Sequence, residues 1–137
     1  MDRFDPTSQG WRLAPHPGFV EMLGALWERP EADTLALGLL VSPNLLSSTN
    51  QLEAGALMTF VDHAIGHASI PVFGTFQVTI HLQLSIVASV RAGDFLEGRG
   101  RIAGIDGSLA HLDGQITCQG KIVATASGIW KRVRPLS

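Results

Sequence analysis

Four successive segments in the second half of the chain alternate apolar and polar residues almost without a break. That pattern fits little besides a long antiparallel sheet. In Thr75–Val87 the even positions Phe76, Val78, Ile80, Leu82, Leu84 and Ile86 are apolar, while Gln77, Thr79, His81, Gln83 and Ser85 are polar. A period of two puts one set on each face, as a half-buried strand demands. Asp94–Ile105 repeats the pattern, with Leu96, Gly98, Gly100, Ile102 and Gly104 inward against Glu97, Arg99 and Arg101. Asp106-Gly107 is a two-residue hairpin signal. Ser108–Gln119 sets Ala110, Leu112, Gly114, Ile116 and Cys118 inward, and Lys121–Arg132 does the same with Ile122, Ala124, Ala126, Gly128 and Trp130. Strands of roughly twelve residues exceed the usual five or six, so this sheet should be long and curled.

The segment before the strands, LEAGALMTFVDHAIGHAS at Leu52–Ser69, predicts one long helix over Glu53–Ser69. Its small residues Ala54, Gly55, Ala56, Ala64, Gly66 and Ala68 match the glycines and alanines of the sheet's inner face. Small residues on both surfaces let the backbones approach closely. The economical packing is a central helix wrapped by a curved antiparallel sheet, an α+β domain. Asp62 lies in the middle of that helix, next to Met58, Phe60, Val61 and Ile65. Aspartate competes for backbone hydrogen bonds in a helix, and an unpaired buried carboxylate costs on the order of several kcal/mol. Asp62 is therefore either a residue with a chemical task or one on the solvated side of the helix.

Earlier in the chain, residues 1–15 carry Pro6, Gly10 and Pro15 and predict an irregular lead-in. Phe19, Leu23, Leu26 and Trp27 predict a short amphipathic helix over Pro17–Trp27, ended by Pro30, and Leu35–Val41 has the length of a strand. The 137 residues suit one domain, 1–137, with 1–30 as its lead-in and short helix. With 45% hydrophobic and 16% charged residues, the chain is not disordered. A net charge of -2 gives no reason to expect nucleic acid as partner. Cys118, the single cysteine, precludes an internal disulfide and fits a reducing compartment. Neither a signal peptide nor a membrane span is visible, so the expected compartment is the cytoplasm.

Three stretches together resemble the hotdog fold and, within it, acyl-CoA thioesterases of the phenylacetate-pathway type. LEAGALMTFVDHAIGHA resembles that family's helix opening, FQVTIHLQLSIVASVRAGDFLEGRGRI its following strand pair, and GKIVATASGIWKR its last strand. The similarity runs from about Leu35 to Arg132. It implies that Asp62 is the catalytic carboxylate, acting on water or directly on the thioester carbonyl. It also implies that the backbone N–H of Ala54, followed by Gly55, holds the thioester oxygen, and that Thr79 helps place water. Helix physics agrees, since the first N–H groups lack helical partners and carry the positive end of the dipole. Substrate-binding positions implied are Asn50, Gln51, Glu53 and Arg91. The sequence departs from the family at Glu53, where a histidine is usual, and at Ala54, where the first glycine is usual. The resemblance further implies an acyl-CoA or other acyl thioester as partner and no cofactor. It also implies a homodimer, or a homotetramer, pairing the strands at Thr75–Val87.

Other features point elsewhere less directly. His63 and His67 share a helix face at i, i+4 spacing, but no third ligand is evident in the sequence and no metal is expected. Gly98-Arg-Gly100 lies within a strand and does not open a helix, so it is not a nucleotide loop. Lys131, Arg132 and Arg134 form a basic run whose ordinary place is solvent, although it could meet coenzyme A phosphates. Cys118 has no basic sequence neighbour and belongs to the core. Besides a thioesterase, a non-catalytic acyl-ligand binding protein and, more remotely, a hotdog hydratase or dehydratase fit these residues.

Overall fold

The computed structural model describes residues 4–134. Its strands are β1 (Arg12–Ala14), β2 (Leu26–Pro30), β3 (Leu35–Leu40), β4 (Gln77–Ile86), β5 (Phe95–Asp106), β6 (Leu109–Cys118) and β7 (Lys121–Arg132). They form one sheet in the order β1-β2-β3-β5-β6-β7-β4, and every neighbouring pair is antiparallel. The long helix α1 spans Ala54–Gly66 and runs through a 3₁₀ turn at His67–Ser69 into the short helix α2, Ile70–Phe73. Glu53 caps α1 from an extended conformation, so the helix begins one residue later than expected.

α1 packs into the concave side of the sheet and buries Leu57, Phe60, Val61, Ala64 and Ile65. The glycines of the inner face make that contact possible. A methyl group on Gly98 would lie 2.6 Å from the Ala64 Cβ, and one on Gly100 would lie 2.8 Å from the Ile65 carbonyl oxygen. Both distances are below van der Waals contact, so alanine at either site would push the helix off the sheet.

The expected helix over Pro17–Trp27 is not formed. Phe19–Leu23 is a 3₁₀ turn, Gly24 follows at φ 92°, and Leu26 already begins β2. Leu23 and Leu26 of the spaced set are buried nonetheless, with Val20 beside them and Trp27 half-buried, so these residues belong to the core through another geometry. Three-residue spacing lines one face of a 3₁₀ turn as well as of an α-helix. Phe19 is instead 76% exposed, and Pro30 ends a strand. The lead-in is also more ordered than expected, since Arg12–Ala14 pairs with β2. The hairpin after β5 turns at Gly107-Ser108, because Asp106 still pairs with Leu109.

Bulges break the inward sets expected for β4, β5 and β7. In β4 the register slips at Ile80, between the Thr79↔Trp130 and His81↔Ile129 pairs. One extra residue reverses every face beyond it. Leu82 and Leu84 lie against the core as expected, whereas Val78 and Ile80 are 45% and 54% exposed. Similar slips turn Gly104, opposite His111, and Ile122, opposite Thr117, away from the inner face.

Candidate functional site

The bulge in β4 has a chemical consequence. Thr79 shares its register position with buried Trp130, and although the residue stays exposed its hydroxyl reaches α1. It donates a 2.7 Å hydrogen bond to Asp62 Oδ1. Two residues earlier, Gln77 Nε2 donates to the Gly66 carbonyl at 2.8 Å, and Gln77 Oε1 accepts from the buried Ser69 hydroxyl. Gln77 and Ser69 thereby tie the end of α1 to the edge of the sheet.

Asp62 is half-buried and opens onto a cleft of about 610 Å³. Gln77, Thr79, Trp130 and Gly66 line it, together with Pro15 and His16 from the segment after β1 and Glu28 from β2. The burial feared for Asp62 is thus partial: Phe60, Val61 and Ile65 are buried, but Met58 is exposed and the carboxylate has a hydroxyl donor. A carboxylate with one oxygen held by a hydroxyl and access to a cleft can accept a proton from water or attack a carbonyl carbon.

The other implied residues collect at the opposite end of α1. Glu53, Ala54 and Gly55 are exposed there. Asn50, at φ 61°, and Gln51 belong to the preceding turn, in which the Ser47 N–H donates to the Gln51 carbonyl at 2.7 Å. The Leu52 N–H donates to the Val90 carbonyl, so the Arg91–Asp94 turn sits beside the helix opening. This end therefore unites Asn50, Gln51, Glu53, Ala54, Gly55 and Arg91, but it does not include Asp62 or Thr79. Asp62 lies eight positions after Ala54 in α1, about 12 Å at 1.5 Å per residue. No single carbonyl can touch both within one chain.

The structure also supplies the ligand that was missing from the helical histidine pair. His16, between β1 and the 3₁₀ turn at Phe19–Leu23, places Nδ1 2.7 Å from His63 Nε2. One nitrogen each from His16, His63 and His67 lies within 4.8 Å of the others. The expectation of two histidines without a third is corrected, for a physical reason: 47 residues separate His16 from His63, and local spacing carries no record of that approach. Burial and the neighbouring His67 and His16 push the His63 imidazole down to about 4, and burial lowers His16 as well. Cys118 packs partly buried against the core, with its thiol pushed up by burial.

No family model and no curated protein matches the chain. Solved structures do match it. A phenylacetic acid degradation-related protein from Ralstonia eutropha JMP134 superposes with a TM-score of 0.75 at 24% identity, covering 86% of this chain and 92% of that one. The E. coli PaaI protein from the phenylacetic acid degradation operon gives 0.74 at 20% identity, over 82% and 86% of the two chains. Thioesterase superfamily member 2 of zebra fish gives 0.76 at 17% identity, over 86% and 88%. One long helix in a seven-stranded antiparallel sheet, shared with these proteins, is the hotdog fold. Its structural neighbours include proteins described as thioesterases and PaaI phenylacetic acid degradation proteins.

Proposed function

We propose that this protein is a cytoplasmic acyl-CoA thioesterase of one hotdog domain, hydrolysing a small or medium acyl or aryl thioester to the free acid and thiol. The observation that carries this reading is the Asp62–Thr79 pair at the edge of an accessible cleft. Asp62 takes a proton from water, or attacks the thioester carbonyl itself, while the Thr79 hydroxyl fixes the carboxylate's orientation. The oxygen of the carbonyl is held by backbone N–H groups at Ala54 and Gly55, where the helix dipole favours negative charge. Asn50, Gln51, Glu53 and Arg91 surround that opening and would contact the substrate.

The 12 Å gap means that these two half-sites serve one substrate only across a pair of chains. A homodimer, or a dimer of dimers, supplies that arrangement. β4 is the last strand of the sheet, with a free edge. It carries Val78, Ile80 and Ile86 at about half exposure, and such an edge invites a second copy. A thiol-release assay over a panel of acyl-CoAs, run beside thermal stabilisation by the same compounds, tests the activity. Asp62→Asn, isosteric with the native residue, should lower thiol release by about two to four powers of ten and leave ligand-induced stabilisation intact. Wild-type turnover in that variant would refute the assignment. Stabilisation without hydrolysis by any substrate would make the protein a binding module.

A further inference from the structure

We infer that His16, His63 and His67 form a binding site for a borderline divalent metal ion of the zinc class, with its open coordination position facing the cleft that holds Asp62. The inference stands on the histidine geometry and does not depend on the hydrolase reading. Three imidazoles plus a free position are the ligand set of open zinc sites, and imidazole suits zinc, copper and nickel better than calcium or magnesium. One nitrogen from each ring already lies within 4.8 Å of the others, with ring centroids 4.7–5.3 Å apart.

The outer partners fit as well. His67 Nδ1–H donates to the His63 carbonyl at 2.8 Å. That bond fixes its tautomer and leaves the Nε2 lone pair for a cation, the usual arrangement of a ligating histidine. His16 has a side chain only 9% exposed, and its Nε2 has no hydrogen-bond partner among the described residues. Nε2 faces Glu28 Oε2 at 3.8 Å. A carboxylate there favours the Nε2–H tautomer and turns the His16 Nδ1 lone pair toward His63. An ion bound at His16 Nδ1, His63 Nε2 and His67 Nε2 would thus have a carboxylate behind one ligand and a carbonyl behind another.

Binding requires three small changes, the first a rotation of the rings that brings nitrogens now up to 4.8 Å apart to ligand spacing. His16 Nδ1 and His63 Nε2, now 2.7 Å apart, must open to about 3.3 Å, the separation that zinc–nitrogen bonds of about 2.0–2.1 Å impose. His16 lies outside any regular element and can make that shift. The proton of His63 moves through solvent from Nε2 to Nδ1, so all three rings stay neutral and each donates one lone pair. Asp62 and Glu28 line the same cleft and attract a cation into it.

The test uses the full chain without a polyhistidine tag, stripped with chelator and titrated with cobalt(II), then zinc. The wild type should take up one ion per chain and show the intense visible bands of four- or five-coordinate cobalt, displaced by zinc. His16→Gln and His67→Gln should each weaken binding by at least about a hundredfold, and Glu28→Gln by about ten- to a hundredfold. Melting curves of the metal-free variants verify folding. His16→Gln, outside the helix, decides the matter if His67→Gln does not fold. Weak octahedral cobalt spectra in the wild type, or equal affinity in wild type and His16→Gln, would overturn the site. Asp62→Asn should keep the cobalt spectrum, so failure of the hydrolase reading and failure of the metal site are told apart.

Discussion

The two ends of α1 differ in almost every respect that matters for chemistry. Its opening at Glu53–Gly55 is solvent-exposed and offers backbone amides with a turn from Asn50 and Gln51 beside it. Its far half with the first residue of the turn beyond it, Asp62–His67, is buried or half-buried and presents side chains: a carboxylate, two imidazoles and, facing them from β4, Thr79 and Gln77. One end can stabilise negative charge and the other can move protons. A hydrolytic site needs both functions within a few ångströms. In the proposed site the chain separates them by about 12 Å along the helix, and so each protomer would hold two unlike half-sites.

Substitutions at each end should have unequal and separable effects. After Asp62→Asn, the largest belongs to Ala54→Pro. Ala54 is the first helical residue, and Glu53 before it is extended at ψ 134°, so proline fits both positions without disturbing the helix. It removes only the N–H. Loss of one such donor should lower kcat by about 10²–10³-fold with the melting temperature nearly unchanged, measured by steady-state thiol release. An unaltered kcat would show that the opening does not hold the thioester oxygen.

Thr79→Val should cost less, about tenfold in kcat. The variant loses one hydrogen bond to a carboxylate, a contact worth about 1.5–3 kcal/mol, and water replaces part of it. Its KM should change little, because the hydroxyl touches Asp62 and not the acyl chain.

The smallest effect concerns acid stability and lies away from both ends of the helix. Glu31, between β2 and β3, accepts from Arg99 at 2.6 Å and from Arg29 at 2.9 Å. The Arg99 hydrogen bond, ahead of Arg29, holds its carboxyl at about 2, below the usual 4.5. A carboxyl lowered on folding stabilises the protein above its unfolded value, and that contribution fades as pH falls from about 4.5 towards 2. Melting temperature should decline over that window in the wild type and decline less steeply in Glu31→Gln. Differential scanning calorimetry checks this, and equal slopes would show that the ion pairs add nothing.

The difference between the two ends also explains what was legible in the sequence. The helix opening is local: Asn50, Gln51, Glu53, Ala54 and Gly55 are contiguous, and any helix starting there must expose them. Asp62 was conspicuous because a carboxylate interrupts an apolar run. The β4 residues that meet the far half of α1 are hidden from the pattern, and only the resemblance singles out Thr79. Alternation through Thr75–Val87 is unbroken in sequence, and it assigns Gln77 and Thr79 to the outer face. Only the bulge at Ile80 brings them inward, and because the alternation continues unbroken through it, with Val78 and Ile80 left outside, the pattern carries no trace of the slip. His16 was invisible for another reason, since tertiary folding alone brings it to α1. The segment after it shows the limit of apolar spacing: Val20, Leu23 and Leu26 are in the core, but as a 3₁₀ turn and a strand, because Gly18 and Gly24 adopt positive φ. The glycine-rich inner face, by contrast, predicted the close helix–sheet packing for the right reason.

The central claim is that a working site joins Asp62 of one chain to the Ala54 opening of another, and mixing inactive chains tests it directly. Asp62→Asn and Ala54→Pro chains, each nearly inactive alone, are co-expressed in equal amounts and mixed dimers are verified by mass. Random pairing makes half the dimers mixed, and each mixed dimer restores one of its two sites, so about a quarter of wild-type thiol release should return. Activity that stays at the average of the two variants, despite mixed dimers, would contradict the account.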